Sequence, residues 1–167
     1  PPESRQPGAE QAFLAAYDAS KFPHPSVAVD LVLVTASEQR LHALLLQRGE
    51  FPAKGDWALP GGFVGIEESL EDAVSRVLKS KAHLEGVFTE QLYTFGAVDR
   101  DPRTRVISVA YYALVEHERL GAALRANDAL HLATLEVPWT GEEGGGVHAL
   151  ASDGTRLPLA FDHGRML

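Results

Sequence analysis

The segment Trp57 to Leu84, WALPGGFVGIEESLEDAVSRVLKSKAHL, gathers side chains capable of chemistry at helical spacing. Glu67, Glu68, Glu71 and Asp72 fall at or before the first turn of that pattern. Their oxygens are of the kind that hard cations need. The simpler reading is that they complement the positive end of a helix dipole, as Lys79 and Lys81 complement the negative end. A second group, Arg100, Asp101, Arg103 and Arg105, surrounds Pro102 in the stretch VDRDPRTR. A guanidinium fork matches a phosphate in bidentate fashion, whereas the plain alternative is a turn with solvated charges. Arg48 and Lys54 flank the loop before Trp57, where each suits a phosphate or ordinary surface. Phe51, Trp57, Phe63, Tyr93 and Phe95 offer rings for stacking, although most such rings belong to cores. Asp162-His163 reads as a helix start with Asp162 as its cap, because no nucleophile accompanies it. The other histidines lack metal-ligand spacing.

These groups need elements to position them. Leu70, Ala73, Val74, Val77, Leu78 and Ala82 make Ser69 to Ala82 the strongest helix, with Ser69 as cap and Asp72 as its capping-box partner. Val27 to Thr35 is a β-branched, largely buried strand interrupted by Asp30. A turn at Ser37-Glu38-Gln39 joins it to a strand over Leu41 to Gln47, giving a hairpin. Trp57 to Pro60 is a short strand leading into Gly61-Gly62. Glu90 to Ala97 and Arg105 to Val115 read as strands, Glu118 to Ala126 as a short helix, and His131 to Trp139 as another strand. Val147 to Leu150 and Arg156 to Leu159 flank a hairpin turn at 152–155. Residues 1–8 read as disordered, Ala9 to Lys21 as a short helix, and Asp162 onward as a terminal helix. The pattern is a mixed α/β (α+β) domain.

The chain has 167 residues, a formal net charge of −8, no cysteine and 45% apolar residues. The length suits one domain with a sizeable core. Without cysteine there is no disulfide framework, thiolate zinc site or cysteine nucleophile. No apolar run approaches the roughly 20 residues of a membrane span, so the expected setting is soluble and cytoplasmic. The acidity argues against this segment touching nucleic acid by itself.

Leu59-Pro60-Gly61 and the following residues resemble the Nudix box, G-x5-E-x7-R-E-U-x-E-E-x-G-U with U aliphatic. Gly62, Glu68, Arg76 and Leu78 match at the required spacing. Val77, Ser80 and Lys81 replace three glutamates, and His83 replaces a glycine. Positions 77, 80 and 81 share one helix face, which in the family binds Mg²⁺ or Mn²⁺ against a pyrophosphate. Val77 offers no ligand, Ser80 a weak neutral one, and Lys81 puts a cation where a cation should bind. The runs QLYTFGAVDRDPRTRVISVAYYALV (91–115) and LAFDH (159–163) resemble a narrower branch. It comprises Nudix-related transcriptional regulators of NAD metabolism and ADP-ribose pyrophosphatase-like relatives.

The resemblance implies a Nudix α/β/α sandwich over 25–167, with a mixed sheet and one central helix, behind an extension over 1–24 carrying a short helix. It implies ADP-ribose, or a related NAD-derived diphosphate, held without cleavage by Arg48, Lys54, Phe63, Lys81, Arg100, Asp101 and Arg103. Gly62, Glu68 and Arg76 serve as scaffold: a tight loop and an Arg–carboxylate brace. No catalytic residue, metal ligand or required cofactor is assigned. A homodimer is implied, as is a following winged helix-turn-helix domain, absent from this chain, that contacts DNA. The rival is a divergent Mg²⁺-dependent hydrolase drawing ligands from Glu85, Glu116, Glu118, Asp128 or Glu136. A scaffold for protein contacts alone is a third reading.

Overall fold

The computed structural model describes residues 7–140 and 143–167. The predicted first helix is α1 (Pro7–Ala16), followed by a separate 3-10 turn over Ala19–Lys21. Residues 1–6, predicted as disordered, lie outside the described residues, and Pro7 already opens the helix.

The β-branched run forms β1 (Ser26–Ser37), buried without a break from Ala28 to Leu33, so both faces of the sheet are covered there. It turns back into β2 (Arg40–Gln47). Ser37 pairs with Arg40 across Glu38 and Gln39, whose φ values are both positive, as a two-residue hairpin loop requires. Then come β3 (Trp57–Ala58), β4 (Gly61–Phe63), α2 (Leu70–Lys81), β5 (Glu90–Phe95) and β6 (Val106–Leu114). They are followed by α3 (His117–Ala126), β7 (Leu130–Glu136), β8 (Trp139–Thr140), β9 (Glu143–Gly144) and β10 (His148–Leu150). The main sheet runs β10-β7-β2-β1-β6-β5, with β3 on β2 and β4 on β1; β8 and β9 form a separate ribbon. β1 and β6 are parallel and their other neighbours antiparallel, so the sheet is mixed.

α2 starts where its sequence says. Ser69 Oγ accepts the Asp72 N–H at 3.1 Å and donates to the Asp72 carboxylate at 2.7 Å. Its buried stripe, Ala73, Val74, Val77 and Leu78, packs with α3 onto one face of the sheet. The other face, with Val32, Leu45 and Ala110, is covered by Leu157, Leu159 and Met166 of the C-terminal segment.

That segment differs from expectation. Arg156 to Leu159 is not a strand: it makes only single bridges, Leu150 to Arg156 and Trp57 to Leu159. The terminal helix is one 3-10 turn, His163–Arg165. Part of the Gly-rich loop at 141–146 lies outside the described residues.

Candidate functional site

A cavity of about 490 Å³ opens where β1, β2 and β4 meet the C-terminal end of α2, the 100–103 loop and the C-terminal segment. Its base is Asp30, the polar break in β1. The carboxylate is buried because it is paired. It accepts the Ser108 hydroxyl at 2.5 Å, with Arg100 at 3.9 Å and His163 Nε2 at 3.7 Å. Asp30 also dictates glycine at 61. A Cβ there would sit 2.0 Å from Asp30 Oδ1 and 2.8 Å from the Val29 carbonyl. Gly62 carries no such demand, since its Cβ would meet Val77 at 3.5 Å, an ordinary contact. The steric demand for glycine in β4 therefore falls on Gly61.

The predicted brace is present. Arg76 grips Glu68 at 2.6 and 2.8 Å and donates to the Phe63 carbonyl at 2.9 Å, while Gly65 N–H donates to Glu68 at 3.0 Å. The Arg76 hydrogen bond is the main reason that the Glu68 carboxyl is lowered to about 2.

Lys81 reaches back from the last turn of α2 and donates to the Gly61 carbonyl at 2.5 Å. Burial lowers its pKa, with Asp30 opposing and Arg48 and Arg76 adding to the effect. Among the described residues, five cations line the cavity, Arg48, Arg76, Lys81, Arg100 and Arg103, against three carboxylates, Asp30, Glu50 and Asp101. Phe63 and Phe161 supply aromatic walls.

The arginines are not a solvated mixed-charge turn. Arg100 is buried and forks onto Asp162 at 3.0 and 2.7 Å. Asp162 is the N-cap residue of the 3-10 turn, as predicted, but its side chain makes no capping hydrogen bond and serves instead as the ion-pair partner of Arg100. Arg103 forks onto Asp101 at 3.0 and 2.7 Å, which lowers the Asp101 pKa. Arg105 turns away to the carbonyls of Gly96 and Ala97. Arg48 holds the Pro52 carbonyl at 2.9 Å and lies over Phe161. Lys54 is exposed beside Phe51 and does not line the cavity.

Asp30, Phe161 and His163 line the cavity without having been singled out as ligand contacts. His163 is not simply the opening of a helix. Its Nδ1 accepts the Leu59 N–H at 2.9 Å, which leaves the proton on Nε2, facing Asp30. Burial lowers its pKa.

The box positions do not fit a divalent cation. Val77 is wholly buried in the core, Ser80 Oγ donates to the Arg76 carbonyl at 2.7 Å, and the Lys81 ammonium occupies the Gly61 carbonyl. Among the described residues, no group of three or more His, Asp or Glu is placed to hold a metal ion. Glu85 pairs with Lys79 at 2.9 Å, and Glu85, Glu116, Glu118, Asp128 and Glu136 do not line this cavity. Among the described residues, no helix is long and apolar enough to cross a membrane.

Residues 24–138 match the NUDIX domain family. The "ADPR responsive transcriptional repressor NtrR" of Acinetobacter baylyi is 33% identical over 160 residues, 95% of this chain and 58% of that protein. The "ADP-ribose pyrophosphatase" of Methanocaldococcus jannaschii is 39% identical over 105 residues, 63% of this chain and 57% of that protein. The chain thus spans under three-fifths of the length of either relative. The NUDIX domain of Shewanella oneidensis NrtR, solved as a complex with ADP ribose, superposes with a TM-score of 0.68 at 34% identity. That match covers 94% of this chain and 93% of that one.

Proposed function

The chain belongs to the NUDIX domain family, and from that premise we propose that it is a sensing domain for ADP-ribose or a related NAD-derived nucleoside diphosphate. It holds this ligand without hydrolysing it, as part of a transcriptional regulator. The observation that carries the reading is the charge of the cavity. In a chain of net charge −8, five cations line one pocket against three carboxylates, and an ammonium stands where the family's box has a carboxylate. A diphosphate is an anion that such a pocket suits, and an ammonium meets it as a point charge. The likeness to an ADP-ribose-bound NUDIX domain over nearly the whole of both chains supports the same ligand. In this reading no metal is required. DNA is contacted by a winged helix-turn-helix domain of the full protein, and two copies assemble.

The similarity to a pyrophosphatase favours hydrolysis as the second reading. Calorimetric titration with ADP-ribose, with chelator and with Mg²⁺, followed by product analysis, separates the two. Metal-independent binding with the ligand recovered intact is the expected result; Mg²⁺-dependent release of AMP would overturn it. Lys81→Glu is expected to weaken binding by roughly tenfold or more in chelator, a loss of about 1.4 kcal/mol or more.

A further inference from the structure

Phe161 is the cavity residue whose backbone is least explained by the fold. Its φ is 53°, a left-handed conformation that a bulky residue adopts only where its surroundings impose it. Its neighbours are fixed: Ala160 N–H donates to the Trp57 carbonyl at 2.8 Å, and His163 N–H to the Ala160 carbonyl at 3.2 Å. This backbone places the ring under two guanidiniums, Arg48 at 4.8 Å and Arg103 at 5.8 Å from its centroid. The Arg103 guanidinium also lies over Phe63, 5.3 Å from that centroid. Phe63 is 45% exposed at the cavity mouth. One flat cation therefore faces two aromatic rings, one on β4 and one from the C-terminal segment. A guanidinium is planar and delocalised and stacks on aromatic faces much as a nucleobase does. Arg103 is also tethered, because its fork grips the buried Asp101.

We propose that Arg103 is a built-in occupant of a flat subsite walled by Phe63 and Phe161, and that the base of an incoming nucleotide displaces it. The proposal rests on the nucleoside diphosphate reading of the same cavity. A ligand carrying only a base must compete with the guanidinium and recovers nothing. A ligand carrying a base and phosphates offers the displaced cation an anion. The subsite therefore favours nucleotides over nucleosides by a differential affinity built into the unliganded chain.

The test is calorimetry of the wild type, Phe161→Gly and Arg103→Ala against ADP-ribose, pyrophosphate and adenosine. Glycine is chosen at 161 because it adopts this φ without strain. Phe161→Gly is expected to weaken ADP-ribose binding by roughly 10- to 100-fold, the usual cost of losing a stacked base, while pyrophosphate binding stays within about twofold. Arg103→Ala is expected to bind adenosine roughly tenfold more tightly than the wild type. The subsite is overturned if Phe161→Gly keeps full ADP-ribose affinity or loses pyrophosphate equally. It is also overturned if Arg103→Ala binds adenosine no more tightly than the wild type, or not at all. A wild type that does not bind ADP-ribose overturns the nucleotide reading and this subsite with it.

Discussion

Asp30 stands inside the most apolar strand of the chain and organises what lies around it. A buried carboxylate is tolerated only when its lone pairs are used, and here Ser108, Arg100 and His163 surround it. Arg100 is in turn held by Asp162, and its side chain is only 5% exposed. Asp162→Ala would strip that guanidinium of its bidentate partner and leave only the longer approach to Asp30. A buried charge that loses its partner costs about 3–5 kcal/mol, and urea unfolding should register a loss of that size. A loss below about 1 kcal/mol would mean that water reaches Arg100 and that the pair is worth no more than a surface one. His131 makes a different prediction. Its Nε2 is buried with no hydrogen-bond partner among the described residues, and its ring packs against Trp57. Burial lowers its pKa from 6.5, so the unfolded chain takes up the proton more readily than the folded one. Stability is then complete above about pH 6.5 and falls as the pH drops through that value. His131→Phe should flatten the acid side of the stability–pH curve but leave a residue of it, because His163 is lowered in the same direction. An unchanged curve would show that His131 is solvated when protonated.

At the scale of elements, the sequence was legible where periodicity and capping act locally. α2 and its Ser69 cap follow from spacing, and the Glu68–Arg76 brace from the resemblance to the box. What decides the cavity is long-range and left a weaker trace. Phe161 and His163 enter through an irregular segment with no periodicity, held by two backbone hydrogen bonds with Trp57 and one from the Leu59 N–H. Asp30 did leave a signal: a lone carboxylate in an otherwise apolar strand must have buried partners, although the sequence does not say which. The same distinction separates the two glycines of β4. The box motif points to Gly62, yet the close packing of β4 against β1 falls on Gly61. Gly61→Ala must push Asp30 or the β1 backbone aside, an overpacking that costs about 1–3 kcal/mol. Gly62→Ala should cost under about 1 kcal/mol, because its new methyl meets only ordinary contacts. Thermal unfolding of the two variants side by side checks this ordering. Equal losses would mean that β4 shifts as a unit and that Asp30 does not fix it.

For the whole molecule, charge is distributed against its own average. The chain carries −8 overall, while five of its cations line one cavity, three of them, Arg76, Arg100 and Arg103, paired with carboxylates. An anionic ligand is therefore repelled by the mean field and attracted by the local one, and salt weakens both at distances beyond roughly 10 Å at 0.1 M. The attraction is the larger of the two, because its charges lie within a few ångströms of the ligand whereas the net charge is spread over the whole surface, so screening weakens binding on balance. Binding to the folded state alone raises stability by RT ln(1 + [L]/Kd), about 2.7 kcal/mol at a ligand concentration of 100 Kd. For a chain of this size that corresponds to a rise in Tm of roughly 5–10 °C. ADP-ribose at a fixed concentration, set to 100 times its Kd in low salt, should produce a rise of that order. The rise should shrink steadily as NaCl is increased from about 50 to 500 mM, because Kd itself weakens. Adenosine lacks the phosphates, so whatever rise it produces should not change with salt. If the ADP-ribose shift is equally insensitive to salt, the cavity cations stay with their present partners, Arg76 with Glu68, Arg100 with Asp162, Arg103 with Asp101, and Arg48 and Lys81 with backbone carbonyls, and the diphosphate is recognised through neutral hydrogen bonds instead.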